Sequence, residues 1–352
     1  MLKSFRYFLL PFSLIYGGVV WIRNWMFDKN ILRSSSFNFP IICVGNLAVG
    51  GTGKTPMVEY LIRLLKSNYA TATLSRGYKR KTKGFAIADE NTTALEIGDE
   101  PMQFHQKFPE VTVAVGEERL VAIPQLLHEE QNTQVIILDD AFQHRPVAAG
   151  LNIVLTEYNN LYTRDFMLPA GDLRDVKRSI KRAQVIVITK CPDNISPEEK
   201  NQLANEVKRN EAHKVFFTTT VYTKPYHLFS KQEKSITTDT SVLLITGIAN
   251  PQPLKELLTR SVSTYDMLRY ADHHIFTIDD LEDIQEHFKR ITAANKIILT
   301  TEKDAVRLQK FKTELENFPI YVIAVQHSFL FNEGQEFDIV VTDFVRSFAN
   351  RI

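Results

Sequence analysis

The segment Val44-Gly45-Asn46-Leu47-Ala48-Val49-Gly50-Gly51-Thr52-Gly53-Lys54-Thr55-Pro56 constrains this chain more than any other. An apolar run, Ile41-Ile42-Cys43-Val44, feeds a glycine-rich turn, and Val58, Leu61, Ile62 and Leu65 follow at helical spacing. Strand, turn and helix in that order read as a phosphate-binding loop. Its backbone N–H groups point at phosphate oxygens, the helix N-terminus adds positive potential, Lys54 reaches the β- and γ-phosphates, and the Thr55 hydroxyl is a Mg²⁺ ligand. The usual pattern has glycine where Ala48 stands, but Gly50, Gly51 and Gly53 supply the freedom a tight turn needs. Pro56 sits in the first helical turn, where its missing N–H costs little. The nucleotide contacts expected here are Asn46, Ala48, Val49, Gly50, Gly51, Thr52, Gly53, Lys54 and Thr55.

Apolar strands alternate with helical patterns after the loop. Ala70 to Ser75, Val111 to Val115, Val135 to Leu138, Ile153 to Leu155 and Val185 to Ile188 read as strands, with a helical pattern over Arg119 to Leu127. This rhythm predicts a P-loop NTPase-like α/β fold with a doubly wound, mostly parallel sheet. The texture changes near Val215, and a second α/β run begins at Val242. The expected organisation is an apolar helix over 1–30, a nucleotide-binding domain over 31–215, an extended linker over 216–240, and a smaller α/β domain over 241–352 that closes a cleft.

The 352 residues suit two domains, and 42 basic against 41 acidic residues offer no global field for a polyanion, so no nucleic-acid partner is expected. No obligate protein partner is evident either. Cys43 and Cys191 have neither metal-site spacing nor the density of a secreted disulfide scaffold. The N-terminus carries an uncharged run, Phe8 to Ile22, flanked by Lys3 and Arg6 on one side and Arg23, Lys29 and Arg33 on the other. It falls short of the roughly 20 residues needed to span a bilayer. Trp21 and Trp25 at its end favour a membrane interface, so the reading is a helix lying in or dipping into the cytoplasmic face of a membrane. A buried core helix is the alternative. A cleaved signal peptide fits less well, because no small-residue cleavage site follows.

Several side chains complete the loop. A Mg²⁺-bound triphosphate needs a carboxylate at the end of an apolar strand, and Asp139-Asp140 after Val135 to Leu138 fits, although a paired-Asp turn reads the same way. Gln143 follows closely, and Arg76 and Arg119 are candidate phosphate cations. Asp99-Glu100 behind Gly98 reads on its own as a helix N-terminal cap first, with a base near an acceptor hydroxyl as the alternative that its position makes interesting. Asp272-His273-His274 is ambiguous on its own.

Taken together, Gly50 to Pro56, Ser75-Arg76-Gly77-Tyr78, Gly98-Asp99-Glu100-Pro101, Asp139 to His144, Leu168 to Asp175, Asp272-His273-His274 and Thr301-Glu302-Lys303-Asp304-Ala305 resemble the tetraacyldisaccharide 4′-kinase family, in order over most of the chain. The resemblance implies transfer of the ATP γ-phosphate to the 4′-hydroxyl of an acylated glucosamine disaccharide 1-phosphate, a lipid A precursor, at the cytoplasmic face of the bacterial inner membrane. It implies Asp99 as base with His273 as partner across the cleft, and Lys54 as a catalytic cation. It also implies Mg²⁺ held by Thr55 and Asp139 with Asp140 or Glu100, and phosphate contacts from Arg76, Arg119 and Arg174. Two positions depart from the family pattern: Ala141 replaces a glycine, and Asp175 replaces a glutamate of longer reach. The competing readings are a GTPase or metallochaperone-like P-loop protein, for which Thr189-Lys190-Cys191-Pro192-Asp193 is the best support, and a membrane-tethered binding protein with a degenerate loop.

Overall fold

Near-continuous apolar runs such as Ile41–Val44, Val135–Leu138 and Val185–Ile188 suit strands covered on both faces, and every residue of these three runs is buried. The computed structural model describes residues 6–349. Residues 1–5, including Lys3, and 350–352 belong to the expected first and last segments but lie outside the described residues.

The larger sheet has nine strands. In chain order its main members are β1 (Ile41–Asn46), β2 (Thr71–Ser75), β3 (Thr112–Val115), β4 (Val135–Asp139), β5 (Leu151–Glu157), β6 (Val185–Thr189) and β7 (Lys214–Tyr222). A second sheet of five strands contains β8 (Ser241–Thr246), β9 (Thr264–Arg269), β10 (Lys296–Thr301) and β11 (Ile320–Ile323), with Tyr226–His227 at its edge. The chain then returns to the larger sheet as β12 (Val325–Phe329). Spatial order in the larger sheet is β12-β7-β6-β5-β1-β4-β2-β3, closed by the short edge strand Ala86–Ile87. Only the two edges are antiparallel. The neighbours of β1 are β4 and β5, so the phosphate loop leaves the sheet where the chain reverses its direction of winding.

The helices used below are α1 (Leu10–Asp28), α2 (Lys54–Leu65), α3 (Asp99–Lys107), α4 (Arg119–Glu129), α5 (Glu302–Leu308) and α6 (Gly334–Ala349). One face of the larger sheet is covered by Met57, Val58, Leu61, Ile62 and Leu65 of α2 together with Phe337, Val341 and Val345 of α6. Phe216, Phe329, Phe337 and Tyr60 pack there as an aromatic cluster, with the Phe329 and Phe337 ring centroids 4.6 Å apart.

The strand pattern differs from the expected organisation at two places. The segment read as a linker from 216 begins inside β7, where Phe216 and Phe217 pair with β6 and residues 218–222 pair with β12. Residues 325–349, assigned to the smaller domain, complete the larger one. The run Tyr321 to Val325 reads as one strand in sequence, but it breaks at Ala324 into strands of two different sheets.

Gly45 lies where β1 meets Phe142, and a Cβ added there would stand 2.5 Å from the Phe142 Cβ and 3.2 Å from its backbone nitrogen. Overpacking against backbone costs about 1–3 kcal/mol. Gly45→Ala is therefore expected to lower the urea midpoint, whereas Gly51→Ala, with open space around it, leaves it near the parental value. Equal midpoints for the two variants would contradict the close approach of Phe142.

Candidate active site

Only two loop positions need glycine for its backbone freedom. Gly50 has φ +108° and Gly53 has φ +88°, both costly for a side chain. Ala48 is instead bridged to Leu173 in extended pairing, and the Val49 N–H donates to the Asp172 carbonyl at 2.8 Å. The missing glycine at 48 is thus accounted for, because the first half of the loop is paired backbone. Beneath the turn, the Thr189 hydroxyl donates to the Thr52 carbonyl at 3.0 Å. His327 of β12 lies 2.8 Å from the Gly53 carbonyl through Nε2 and 3.0 Å from the Thr218 hydroxyl through Nδ1. Burial pushes the His327 pKa down to about 4, so the ring is neutral, its Nε2–H donates to Gly53 and its Nδ1 accepts from Thr218.

Asn46 and Gln143 brace the loop from within. The Asn46 amide, fully buried, donates to the Thr52 hydroxyl at 2.8 Å and accepts from Arg174, while Gln143 donates to the Asn46 carbonyl. Both are expected nucleotide contacts, and in the structure they also tie the loop to Thr52 and Arg174. Lys54, at the first position of α2, is 3.8 Å from Asp140. The Asp140 carboxylate also receives both guanidinium nitrogens of Arg174, one at 3.1 Å. Burial opposes its ionisation, but Lys54 and Arg174 prevail and hold its pKa below the usual carboxylate range. Asp140 is therefore a counter-ion to Lys54 and Arg174.

Asp139 ends β4 and is buried, with its Oδ1 unpartnered and its Oδ2 within 3.5 Å of the Ser75 hydroxyl. Burial first, then the Asp140 charge, push its pKa up to about 7. Arg119, in the first turn of α4, is also buried, with Nε unpartnered and one N–H on the Glu117 carbonyl at 3.2 Å. Burial lowers its pKa, and the Asp139 charge partly offsets that. Arg76 lies exposed just past β2. An unpartnered buried carboxylate oxygen, with Lys54 near enough to act on its charge, suits a hard cation. Among the described residues no three His, Cys, Asp or Glu side chains form a metal cage, so such a cation would need oxygens from a bound phosphate as well.

The second half of the site joins the two sheets. Asp99 opens α3, and its carboxylate lies 2.8 Å from His273 Nδ1. It also accepts two N–H bonds from Arg307 of α5, one at 2.9 Å. The next residue, Glu100, pairs with Lys303 Nζ at 2.6 Å. Burial raises the pKa of Asp99, but the Arg307 and His273 contacts outweigh it and the net shift is downward. Arg307 lies 2.9 Å from the same His273 nitrogen. A protonated Nδ1 donates to Asp99 and an unprotonated one accepts from Arg307, so each tautomer has a partner. Asp304, fully buried, accepts from the Gly247 N–H at 3.1 Å, and the Gly247 carbonyl accepts from the His273 N–H at 3.3 Å. Glu100 connects the halves, because its charge acts on both Lys54 and Asp139.

Sequence reasoning missed Arg307 and His327. Arg307 was legible in part: Lys303 and Arg307 are four apart on one face of α5 and meet the consecutive acids Asp99 and Glu100. His327 carried no local signal. Asp272 and His274 are not drawn into the Asp99 carboxylate; His274 pairs with Asp280 at 2.9 Å. Lys190, the basic residue of the GTPase-like segment, pairs with Glu157 at 2.7 Å, and Cys191 is buried.

The profile of the family described as tetraacyldisaccharide-1-P 4′-kinase matches residues 5–350. The tetraacyldisaccharide 4′-kinase of Flavobacterium johnsoniae is 46% identical over 344 residues, covering 97% of each chain. That of Bacteroides thetaiotaomicron is 43% identical, covering 96% of this chain and 93% of its own. The crystal structure of LpxK from Aquifex aeolicus in complex with ATP is similar with a TM-score of 0.75 and 28% identity, covering 98% of this chain and 100% of that one.

Asp139 titrates near pH 7 when folded and near 3.8 when unfolded, so folding favours its neutral form. The resulting stability is complete below the unfolded value and is lost as pH rises through about 7. Asp139→Asn is therefore expected to raise the thermal midpoint of the nucleotide-free protein by several degrees at pH 8, with the advantage shrinking as pH falls toward 5. Parallel melting curves at both pH values test this, and coincident midpoints at pH 8 would refute the buried charge.

Proposed function

The chain belongs to the tetraacyldisaccharide-1-phosphate 4′-kinase family, and from that premise we propose how its residues divide the work. The protein is an ATP-dependent kinase that transfers the γ-phosphate to the 4′-hydroxyl of an acylated disaccharide 1-phosphate in lipid A synthesis. The observation that carries the division of labour is the contact between Asp99 and His273, which unites a phosphate-loop domain with a second domain around one carboxylate.

Residues 48–55 hold the triphosphate, with Lys54 on its β- and γ-oxygens and Arg174, Arg119 and Arg76 offsetting charge around it. Bound triphosphate gives Lys54 and Arg174 a second anionic partner besides Asp140. Mg²⁺ would be held by Thr55, Asp139 and Glu100, and would neutralise charge on the transferred phosphate. Metal loading favours ionised Asp139, reversing the burial effect.

The acceptor oxygen bonds to the γ-phosphorus as the bond to the β-phosphate oxygen breaks, ADP leaves, and the hydroxyl proton passes to the Asp99 carboxylate. A low pKa is compatible with that role. Phosphoryl transfer proceeds through a loose transition state, so the base has to be ionised and aimed more than it has to be strong. Arg307 keeps Asp99 ionised, and His273 orients it. Because Asp99 belongs to one domain and His273 to the other, an incorrectly closed cleft lacks an aligned base, which protects ATP from water.

The acceptor is a lipid, and α1 is suited to meet it. Its polar residues Ser13 and Asn24 are buried against the protein, while Phe12, Leu14, Ile15, Val19, Trp21, Ile22 and Trp25 are exposed. This inside-out pattern makes a surface for acyl chains and the cytoplasmic membrane face, with Trp21 and Trp25 at interface depth. Among the described residues no helix is long and apolar enough to cross a membrane.

Purified protein with ATP, Mg²⁺ and the acylated disaccharide 1-phosphate is expected to give a product heavier by one phosphate in mass spectrometry. An unchanged lipid mass would overturn the assignment. Asp99→Ala is expected to lower kcat by about 10²–10⁴-fold while leaving vesicle-bound lipid affinity near parental. Turnover at the parental rate would remove Asp99 as the base.

A further inference from the structure

Asp175 has no part in the reaction described above, yet it is among the most heavily bonded carboxylates in the chain. At 2% exposure it accepts hydrogen bonds from Asn24 Nδ2 at 2.7 Å, the Val176 N–H and the Ser179 hydroxyl at 2.8 Å each, and Arg182 at 3.2 Å. These donors lead in two directions. Asn24 belongs to α1 and is itself 5% exposed. Arg182 donates to the Phe142 carbonyl at 2.9 Å and lies 4.1 Å above the Phe142 ring, and Phe142 fills the space left by Gly45 at the end of β1.

The backbone repeats the connection. The N–H groups of Arg174 and Asp175 donate to the Leu47 carbonyl at 2.8 and 3.3 Å, inside the phosphate loop. The Tyr16 hydroxyl of α1 donates to the Arg174 carbonyl at 3.1 Å, and Arg23 of α1 donates to the Gln143 carbonyl at 3.1 Å. Tyr16 and Asn24 thus land on Arg174 and Asp175, which bond the Leu47 carbonyl, and Arg23 lands on Gln143, which bonds the Asn46 carbonyl, whereas Ser13 accepts from Ala170 and Asp28 from Arg145 away from the loop.

We propose that Asp175 is a positioning residue for nucleotide binding. It clamps α1 to the phosphate loop and fixes the direction from which Arg174 reaches Asn46 and Asp140. On this account α1 has two faces with two tasks: an exposed apolar face toward lipid, and a buried polar face that is part of the nucleotide site. The inference rests on the reading of the loop as the ATP site. A carboxylate is needed because four donors converge on one side chain, and an amide in its place would turn N–H groups toward Asn24 or Arg182. Supporting groups of this kind set how accurately contacting groups are held, and a small misplacement is costly in rate.

The test uses the full-length protein in detergent micelles and the non-hydrolysable β,γ-imido analogue of ATP, whose binding is read by calorimetry without lipid. Asp175→Asn and Asn24→Ala are expected to weaken analogue affinity by about tenfold and to raise the KM for ATP, with the KM for lipid unchanged. Tyr16→Phe, which keeps the ring and removes one oxygen, moves the same quantities less. Circular dichroism and melting curves accompany each variant. A lower melting midpoint with parental analogue affinity would make the cluster an ordinary structural brace and overturn the proposal, as would parental values throughout. If Asp175→Asn does not fold, Asn24→Ala and Tyr16→Phe decide alone. A parent that binds the analogue but does not phosphorylate lipid would overturn the acceptor assignment while leaving the clamp testable by binding.

Discussion

Lys54 and Arg174 repel each other at the start of α2, and Arg119 and Arg76 repel each other beside Asp139, all at the end of a buried sheet where little water screens charge. Two adjacent carboxylates offset that charge in different ways. Asp140 accepts both nitrogens of Arg174 and attracts Lys54, so it stays ionised. Asp139, one residue earlier and deeper, lacks such partners and has its pKa pushed up to about 7. The split follows from geometry: strand pairing carries Asp139 into the sheet opposite Val44, whereas Asp140, at φ +48°, turns out toward the cations. One member of the pair neutralises the loop and the other is left available for a cation, as in other sites where environments separate two carboxylates.

The same economy of charge joins the two domains. Asp99 and Glu100 at the start of α3 meet Arg307 and Lys303 on α5. Further along these helices, Lys107 of α3 bridges Glu302 of α5 and Glu59 of α2, 2.6 Å from the latter, and Gln103 donates to Glu59 at 2.7 Å and Glu302 at 3.3 Å. Burial and the facing Glu59 push Glu302 up to about 7. Paired buried charges of this kind add little net stability, since desolvation consumes most of the Coulomb gain, but removing one partner is costly. These pairs line the contact of α5 with α2 and α3, in the same contact region where His273 meets Asp99.

Much of the fold was legible because it depends on periodicity. The apolar runs that become β1, β4 and β6 are continuous because both of their faces are covered, and α2 shows its buried stripe at helical spacing. The return of β12 to the larger sheet was not legible. Tyr321 to Val325 is apolar throughout, and no local property marks Ala324 as the point where the chain leaves one sheet for another. The outer half of β7 was read as a connector for a related reason: Thr218 to Tyr222 mixes polar and apolar residues, as suits a strand whose partner is the antiparallel edge strand β12.

For the site, the sequence by itself determined which atoms are present and which lie close along the chain: Lys54 and Thr55 at a helix start, Asp139 and Asp140 at a strand end, Asp99 at a second helix start. These are short-range consequences of strand, turn and helix geometry. Tertiary structure decided what each group faces, because pKa and hydrogen-bond partners depend on neighbours distant in sequence. Asn46 and Gln143 bond within and beneath the loop, Asp140 pairs with Lys54 and Arg174, and Ala48 is a paired residue with no need of glycine. His327 and Arg307 entered the site from 274 and 208 residues away from Gly53 and Asp99. No spacing rule spans such distances, since only the packing of two sheets brings those groups together.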